Sequence, residues 1–191
     1  MASPPTSSDV ARLRAGGTVL VPYDPLWPRH FQEIRDQILS VAADLLVEVE
    51  HIGSTALPGL AAKPFLDLMP CLRSYDDGLA LAERLGVLGY EYKGEYGIPG
   101  RHYFSKWIDT GAPACKHNVH AYEVGHAEWT RHLVFRDALR ADSALRAEYE
   151  AFKENLAAVH HDDVQAYASA KSGFVDAVIS RFGGPPRPAQ F

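Results

Sequence analysis

Cysteine is nearly absent from this 191-residue chain. The two present, Cys71 and Cys115, stand in apolar or loop surroundings without metal-ligand spacing. That argues against a disulfide scaffold and for a reducing compartment. An excess of one charge is missing too: the formal charge is −5 and the pI is near 6.0. The chain as a whole therefore has no pull toward nucleic acid or anionic membrane, and any polyanion must be met by a local cluster. No apolar run reaches the ~20 residues of a membrane-spanning helix, and the Pro/Ser-rich opening MASPPTSSDVARLRAGG has no apolar signal-peptide core. The expectation is a cytoplasmic protein with no membrane partner. Internal repeats, low-complexity tracts and a G-x-x-x-x-G-K-[ST] phosphate loop are also lacking.

What is present suits one core, since 47% of residues are apolar. Residues 1–17 read as a flexible arm with at most one helical turn at Asp9–Ala15, 18–182 as a single domain, and 183–191 as a flexible tail. TVLVPYD (18–24) alternates like a short strand. Phe31, Ile34, Ile38, Val41 and Leu45 then keep helical spacing. VEVEHI (47–52) and PFLDLMP (64–70) read as strands, and Ser74 with Asp77 forms a capping-box pattern opening a helix to about Leu88, with Leu79, Ala82, Leu85 and Leu88 as its stripe. YEYKGEYG and RHYFSKWI, joined through Gly97-Ile98-Pro99-Gly100, suit two strands, and KHNVHAYE (116–123) a further one. Helical periodicity governs EWTRHLVFRDALRA, SALRAEYEAFKENLAAVH, and a last helix from Asp162 or Asp163 to Phe182. This order predicts an α+β protein.

Two features carry chemistry. Gly53-Ser54 follows a strand directly, and Ser54 or Thr55 can cap a short helix whose free N–H groups attract phosphate; a routine strand exit looks the same. Asp67 is flanked by Phe65, Leu66, Leu68 and Met69, so a carboxylate sits on a core strand and needs a partner or a cation. The partner could be Lys63 or an arginine, which would make the residue structural.

HIGSTALPGLAAKPFLDL, GIPGRHYF, the HNVHAYE strand and EWTRHLVFRDALRA with EYEAFKENL together resemble the GrpB family, known also as UPF0157 and read as nucleotidyltransferase-like; the likeness spans roughly residues 19–181. The resemblance implies a nucleotidyltransferase-like fold: a Gly-Ser entrance over a small mixed sheet, flanked by helices with a C-terminal helical segment. In active members of that superfamily Gly-Ser lies under nucleotide phosphates and Asp-x-Asp on one strand face holds metal. Carboxylates at i and i+2 bridge paired Mg²⁺ ions in phosphoryl transfer. Here those positions are Asp67 and Met69, and a thioether is a poor ligand for that hard cation.

The resemblance therefore implies two functions. One is a transferase binding a nucleotide or other phosphorylated small molecule, with or without assistance from Mg²⁺, and with Asp67 and His120 as catalytic candidates. Metal would be held by Asp67 and Glu50, or by Glu123 or Asp109; Gly53, Ser54, Lys63, Arg101, Arg131 and Arg136 would face the ligand. The other is a non-catalytic sensing or folding-accessory module with a degenerate metal site, as suggested by GrpB-like segments fused to dephospho-CoA kinase. Nucleic acid as a substrate is disfavoured by the acidic pI. Plainer readings stand beside these. His120 could be a hydrogen-bonded strand residue, and His51 could merely orient the loop. His132, Arg136 and Arg140 could form a solvated helix face, and Lys171 could be structural.

Overall fold

The computed structural model describes residues 5–108 and 112–188. In chain order its elements are α1 (Ser7–Arg14), α2 (Trp27–Ala42), β1 (Leu46–Ile52), β2 (Phe65–Leu72), α3 (Gly78–Val87), β3 (Glu91–Tyr92), β4 (Arg101–Trp107), β5 (Lys116–Glu123), α4 (Ala127–Ala141), α5 (Ser143–Val159), α6 (Val164–Ala170) and α7 (Ser172–Arg181). The strands form one sheet in the order β1-β2-β5-β4-β3. Among the described strands only β2 and β5 run parallel, so the sheet is mixed and its architecture α+β. Among the described residues no helix is long and apolar enough to cross a membrane.

Each face of the sheet buries a different set of side chains. Leu66, Leu68 and Leu72 of β2, Val119 and Ala121 of β5, and Phe104 of β4 pack on α2 and α3. In α2, Trp27, Phe31, Ile34, Ile38 and Ala42 recur at helical spacing and are all buried. Pro28 sits in the first turn, where no amide hydrogen is needed. The opposite face carries Ile52, Met69, Cys71 and Tyr122 against Trp129 of α4. Asp67, Asn118 and His120 belong to that second face, because period-2 alternation aligns them with Met69 and Tyr122.

Several expectations shift. TVLVPYD is no strand; only Val21 bridges to Ala62, since Pro22 and Pro25 cannot donate to a ladder. The capping box of Ser74 and Asp77 is present, but it opens a 3₁₀ turn before α3. An added Cβ on Gly78 would lie 2.1 Å from the His102 ring. This close approach accompanies a helix rotated to bury Leu81 and Leu85 while Leu79 is exposed. The last helix is two, α6 and α7, parted at Lys171 just before the weak helix formers Ser172 and Gly173. Within the segment read as an arm, α1 is closed by a capping box at Thr6 and Asp9, and Leu13 packs with Phe65 and Cys115.

Candidate functional site

The turn after β1 is built around a close approach. Gly53 has φ +71°, ψ −173°, and a Cβ placed there would lie 2.3 Å from Asp67 Oδ2. Only glycine adopts that backbone freely and lets the carboxylate lie beneath it. The expected helix entrance is a single 3₁₀ turn, Ser54–Ala56, too short to present a helix dipole. Arg140 holds it from α4 through Nε and Nη2, which donate to the Ala56 carbonyl at 3.1 and 3.0 Å. His51 Nε2 lies 3.1 Å from Thr55 Oγ1, and its ring stacks on Phe31. Burial pushes its pKa down to about 4. His51 thus orients the turn as a neutral ring.

Asp67 is held by its strand neighbours. The Tyr103 hydroxyl donates to Asn118 Oδ1 at 2.9 Å, which leaves Asn118 Nδ2 to donate to Asp67 Oδ1 at 2.8 Å. His120 Nε2 lies 3.6 Å from the same oxygen. On the other side of that ring Arg101 Nη1 is 3.2 Å from His120 Nδ1. A guanidinium can only donate, so Nδ1 is the acceptor and the proton of the neutral ring sits on Nε2, facing Asp67. His120 therefore has no free lone pair with which to act as a base; it orients the carboxylate. Burial lowers the His120 pKa, outweighing the pull of Asp67. For Asp67 burial acts upward, but His120, Asn118 and the charge of Lys63 hold the carboxyl below its usual range.

These groups line a cavity of about 300 Å³ bounded by Gly53, Ser54, Lys63, Asp67, Asn118, His120, Tyr149, Lys153, Tyr167 and Lys171. Three lysines thus line a space with one carboxylate; the Asp67 charge acts on Lys63 and Lys171, while Lys153 feels Glu150 and Glu154. Burial first, then Lys171, pushes Lys63 down to about 7. Burial likewise takes Lys171 and Lys153 to about 8. Lys63 and Lys171 lie over the Tyr167 ring, 5.3 and 4.6 Å from its centroid. Neither makes an ion pair with any described carboxylate. Lys153 donates to the Ala61 carbonyl and so anchors the loop before β2 to α5. Lys171, read as structural, lies in the cavity, and so does Lys153, which no sequence signal marks; both come from C-terminal helices whose lysines look like ordinary surface residues.

The other candidates go elsewhere. Arg101 is buried, its Nε and Nη2 donating to the Glu95 and Tyr96 carbonyls. Arg131 is bound to Glu128, Asp176 and the Pro185 carbonyl. Arg136, expected at the ligand or on a solvated face, is buried and bound to Glu50, Asp137 and the His51 carbonyl. Arg131 and Arg136 border a second, mainly apolar cavity of about 270 Å³, which shares Gly53 and Phe135 with the first.

Mg²⁺ finds a poor donor set. Glu50 lies opposite Met69 in the register, yet its carboxylate is taken by Arg136. Met69 is fully buried. Glu123 is five residues along β5 from Asn118, so it sits on the other face and roughly 16 Å further along. Asp109 lies outside the described residues. No cluster of three His, Cys, Asp or Glu able to hold a metal occurs among the described residues. Asp67 alone, with one oxygen bound to Asn118 and the charges of Lys63 and Lys171 acting on it, does not fit paired Mg²⁺ ions.

The family model described as GrpB protein matches residues 18–181. The UPF0157 protein YqkA of Bacillus subtilis is 36% identical over 156 residues, covering 82% of this chain but 44% of its own length, so the chain spans less than half of that relative. A crystal structure of the conserved protein GrpB from Enterococcus faecalis superposes with a TM-score of 0.76 at 33% identity, covering 86% of this chain and 96% of that one. Cid1 poly(U) polymerase, in a crystal structure with Mg 3′-dATP bound, superposes at 0.52 with 13% identity over 81% of this chain and 49% of its own. That likeness concerns the fold alone, which is nucleotidyltransferase-like.

Proposed function

Starting from a chain that belongs to the GrpB family, we propose that it binds a nucleotide or another phosphorylated small molecule in the lysine-lined cavity. One observation carries this reading: three lysines and a single aspartate line one partly closed space. Ammonium groups brought together away from water repel one another and lose hydration. Such an arrangement is relieved by an anion of charge two or more. The volume, about 300 Å³, is at the small end of ligand sites, which run to ~1,000 Å³; it suits the phosphoryl end of a ligand whose remainder extends beyond.

Within this reading Lys63 and Lys171 meet the phosphate oxygens from two sides. Ser54 offers its hydroxyl from the turn, and Gly53 lets a ligand approach the backbone. Asp67, oriented by Asn118 and His120, is the one carboxylate able to accept a hydrogen bond from a ligand hydroxyl or amine. Arg101 and Arg140 are positioning residues that set His120 and the Ser54 turn. Cid1 provides a precedent on this fold, since it has been crystallised with a nucleotide bound. A cytoplasmic location follows, where phosphorylated metabolites are at hand.

Calorimetric titration of ATP, GTP, CTP and UTP into the purified protein, with and without Mg²⁺, tests the proposal. Saturable binding that weakens with added salt is expected, and it should fall in Lys63→Met. Absence of binding by every nucleotide and by pyrophosphate would overturn it.

A further inference from the structure

The usual counter-charge for a nucleotide on this fold is divalent metal, and the donor set here does not assemble one. We infer that the cavity is a metal-independent polyanion site, in which Lys63 and Lys171, with Lys153 behind them, stand where metal ions would otherwise neutralise a di- or triphosphate. The inference rests on the proposed phosphorylated-ligand site and specifies its chemistry.

Three independent features converge. The first is that the acidic half is dismantled: Met69 occupies the strand position two after Asp67 and is buried among Ile52, Cys71 and Tyr122, while the Glu50 carboxylate is bound by Arg136. A metal ligand in either place would have to break packing or an ion pair. The second is that positive charge is added from the opposite wall, where the junction of α6 and α7 delivers Lys171 and α5 delivers Lys153. The third is that Lys63 and Lys171 rest on one aromatic ring, Tyr167. A ring face offers an ammonium group about 0.5–2 kcal/mol and leaves its three N–H donors free for an incoming oxygen.

A metal-free site has a consequence that a metal site lacks. Burial, then Lys171 and Lys116, pushes Lys63 down to about 7, and burial with Lys153 pushes Lys171 down to about 8, against the pull of Asp67 on both. A polyanion beside them restores the charged form, so binding near pH 8 takes up protons. Magnesium competes instead of helping, because it lowers the charge of the free ligand that the lysines attract.

Pyrophosphate and ATP titrated calorimetrically at pH 8, once with EDTA and once with excess Mg²⁺, in two buffers of different ionisation enthalpy, give the test. The expected result is binding in EDTA at least as tight as with Mg²⁺, with net proton uptake, and a loss of roughly 10–100-fold in Lys63→Met or Lys171→Met, the worth of one charge-assisted hydrogen bond. Melting temperatures of both variants at or above the wild-type value would show that this loss is not unfolding. Binding seen only with Mg²⁺ would overturn the metal-independent site and leave the phosphorylated-ligand reading standing; binding indifferent to both substitutions would overturn the lysine cavity as the site, and both readings with it. No binding under either condition would overturn both.

Discussion

Replacing Gly53 by alanine should be among the most damaging single changes at the site. The new methyl group would lie 2.3 Å from Asp67 Oδ2 and 3.0 Å from its Cγ, at a backbone with φ +71°. Holding a non-glycine residue in that region costs about 1–3 kcal/mol. Moving the carboxylate away forfeits the Asn118 hydrogen bond, worth about 1.5–3 kcal/mol for a charged acceptor. Together the cost is about 2.5–6 kcal/mol, a large part of the ~5–15 kcal/mol of a typical domain. Urea unfolding reads it as a midpoint lowered by roughly 1–3 M for an m-value of ~2 kcal/mol/M. The same change in an Asp67→Ala background removes the carboxylate clash and leaves the backbone strain and a 3.2 Å contact with the Asp67 Cβ. The alanine should then cost about 1–3 kcal/mol, and the difference is the coupling between the two residues. Equal costs in both backgrounds, or a Gly53→Ala protein as stable as wild type, would refute the close-approach argument.

Lys171→Met should stabilise the ligand-free protein, since it removes a charge from a site that resists it; a scanning melt is expected to rise by a few degrees, about 2–4 °C per kcal/mol at this size. Stability of the ligand-free wild type should climb between about pH 7 and pH 10, because Lys63 and Lys171, lowered to about 7 and 8, lose protons in the folded state while the unfolded chain still binds them; melts across that range with no rise would contradict the buried-lysine picture. At acid pH the direction is a loss: His51 and His132, both held near 4 by burial, stay neutral in the fold while the unfolded chain takes up protons below about 6.5, so the melting temperature should drop from pH 6.5 toward pH 4. Arg136→Ala should cost roughly 1–3 kcal/mol by orphaning Glu50 and the His51 carbonyl, yet leave pyrophosphate affinity within about twofold, because Arg136 faces the second cavity; a large affinity loss in a folded variant would return it to the ligand site.

Much of the frame was legible in the residues. Period-2 alternation in VEVEHI, PFLDLMP and KHNVHAYE marked three of the strands, and 3.6-residue spacing marked α2, α4 and α5, because burial of one face imposes those periods on the chain. Gly53-Ser54, the isolated Asp67 and the apolar residue two positions after it could be read directly, as could Asn118 and His120 sharing a strand face. Those are local facts, set by neighbours a few positions away. Which strands pair, and so which faces meet, was not legible: the parallel pairing of β2 with β5 brings Asn118 to Asp67 across 51 positions. Nor could the sequence tell which charges are spent on one another. Arg136 and Glu50 looked like candidates for ligand and metal until the packing of α4 on β1 joined them. Lys171 could pass for a structural residue and Lys153 bore no signal; the C-terminal helices bring both to the cavity. A side chain's type fixes its charge, but only the fold sets its distance to other charges and to water, and electrostatic energy depends on both.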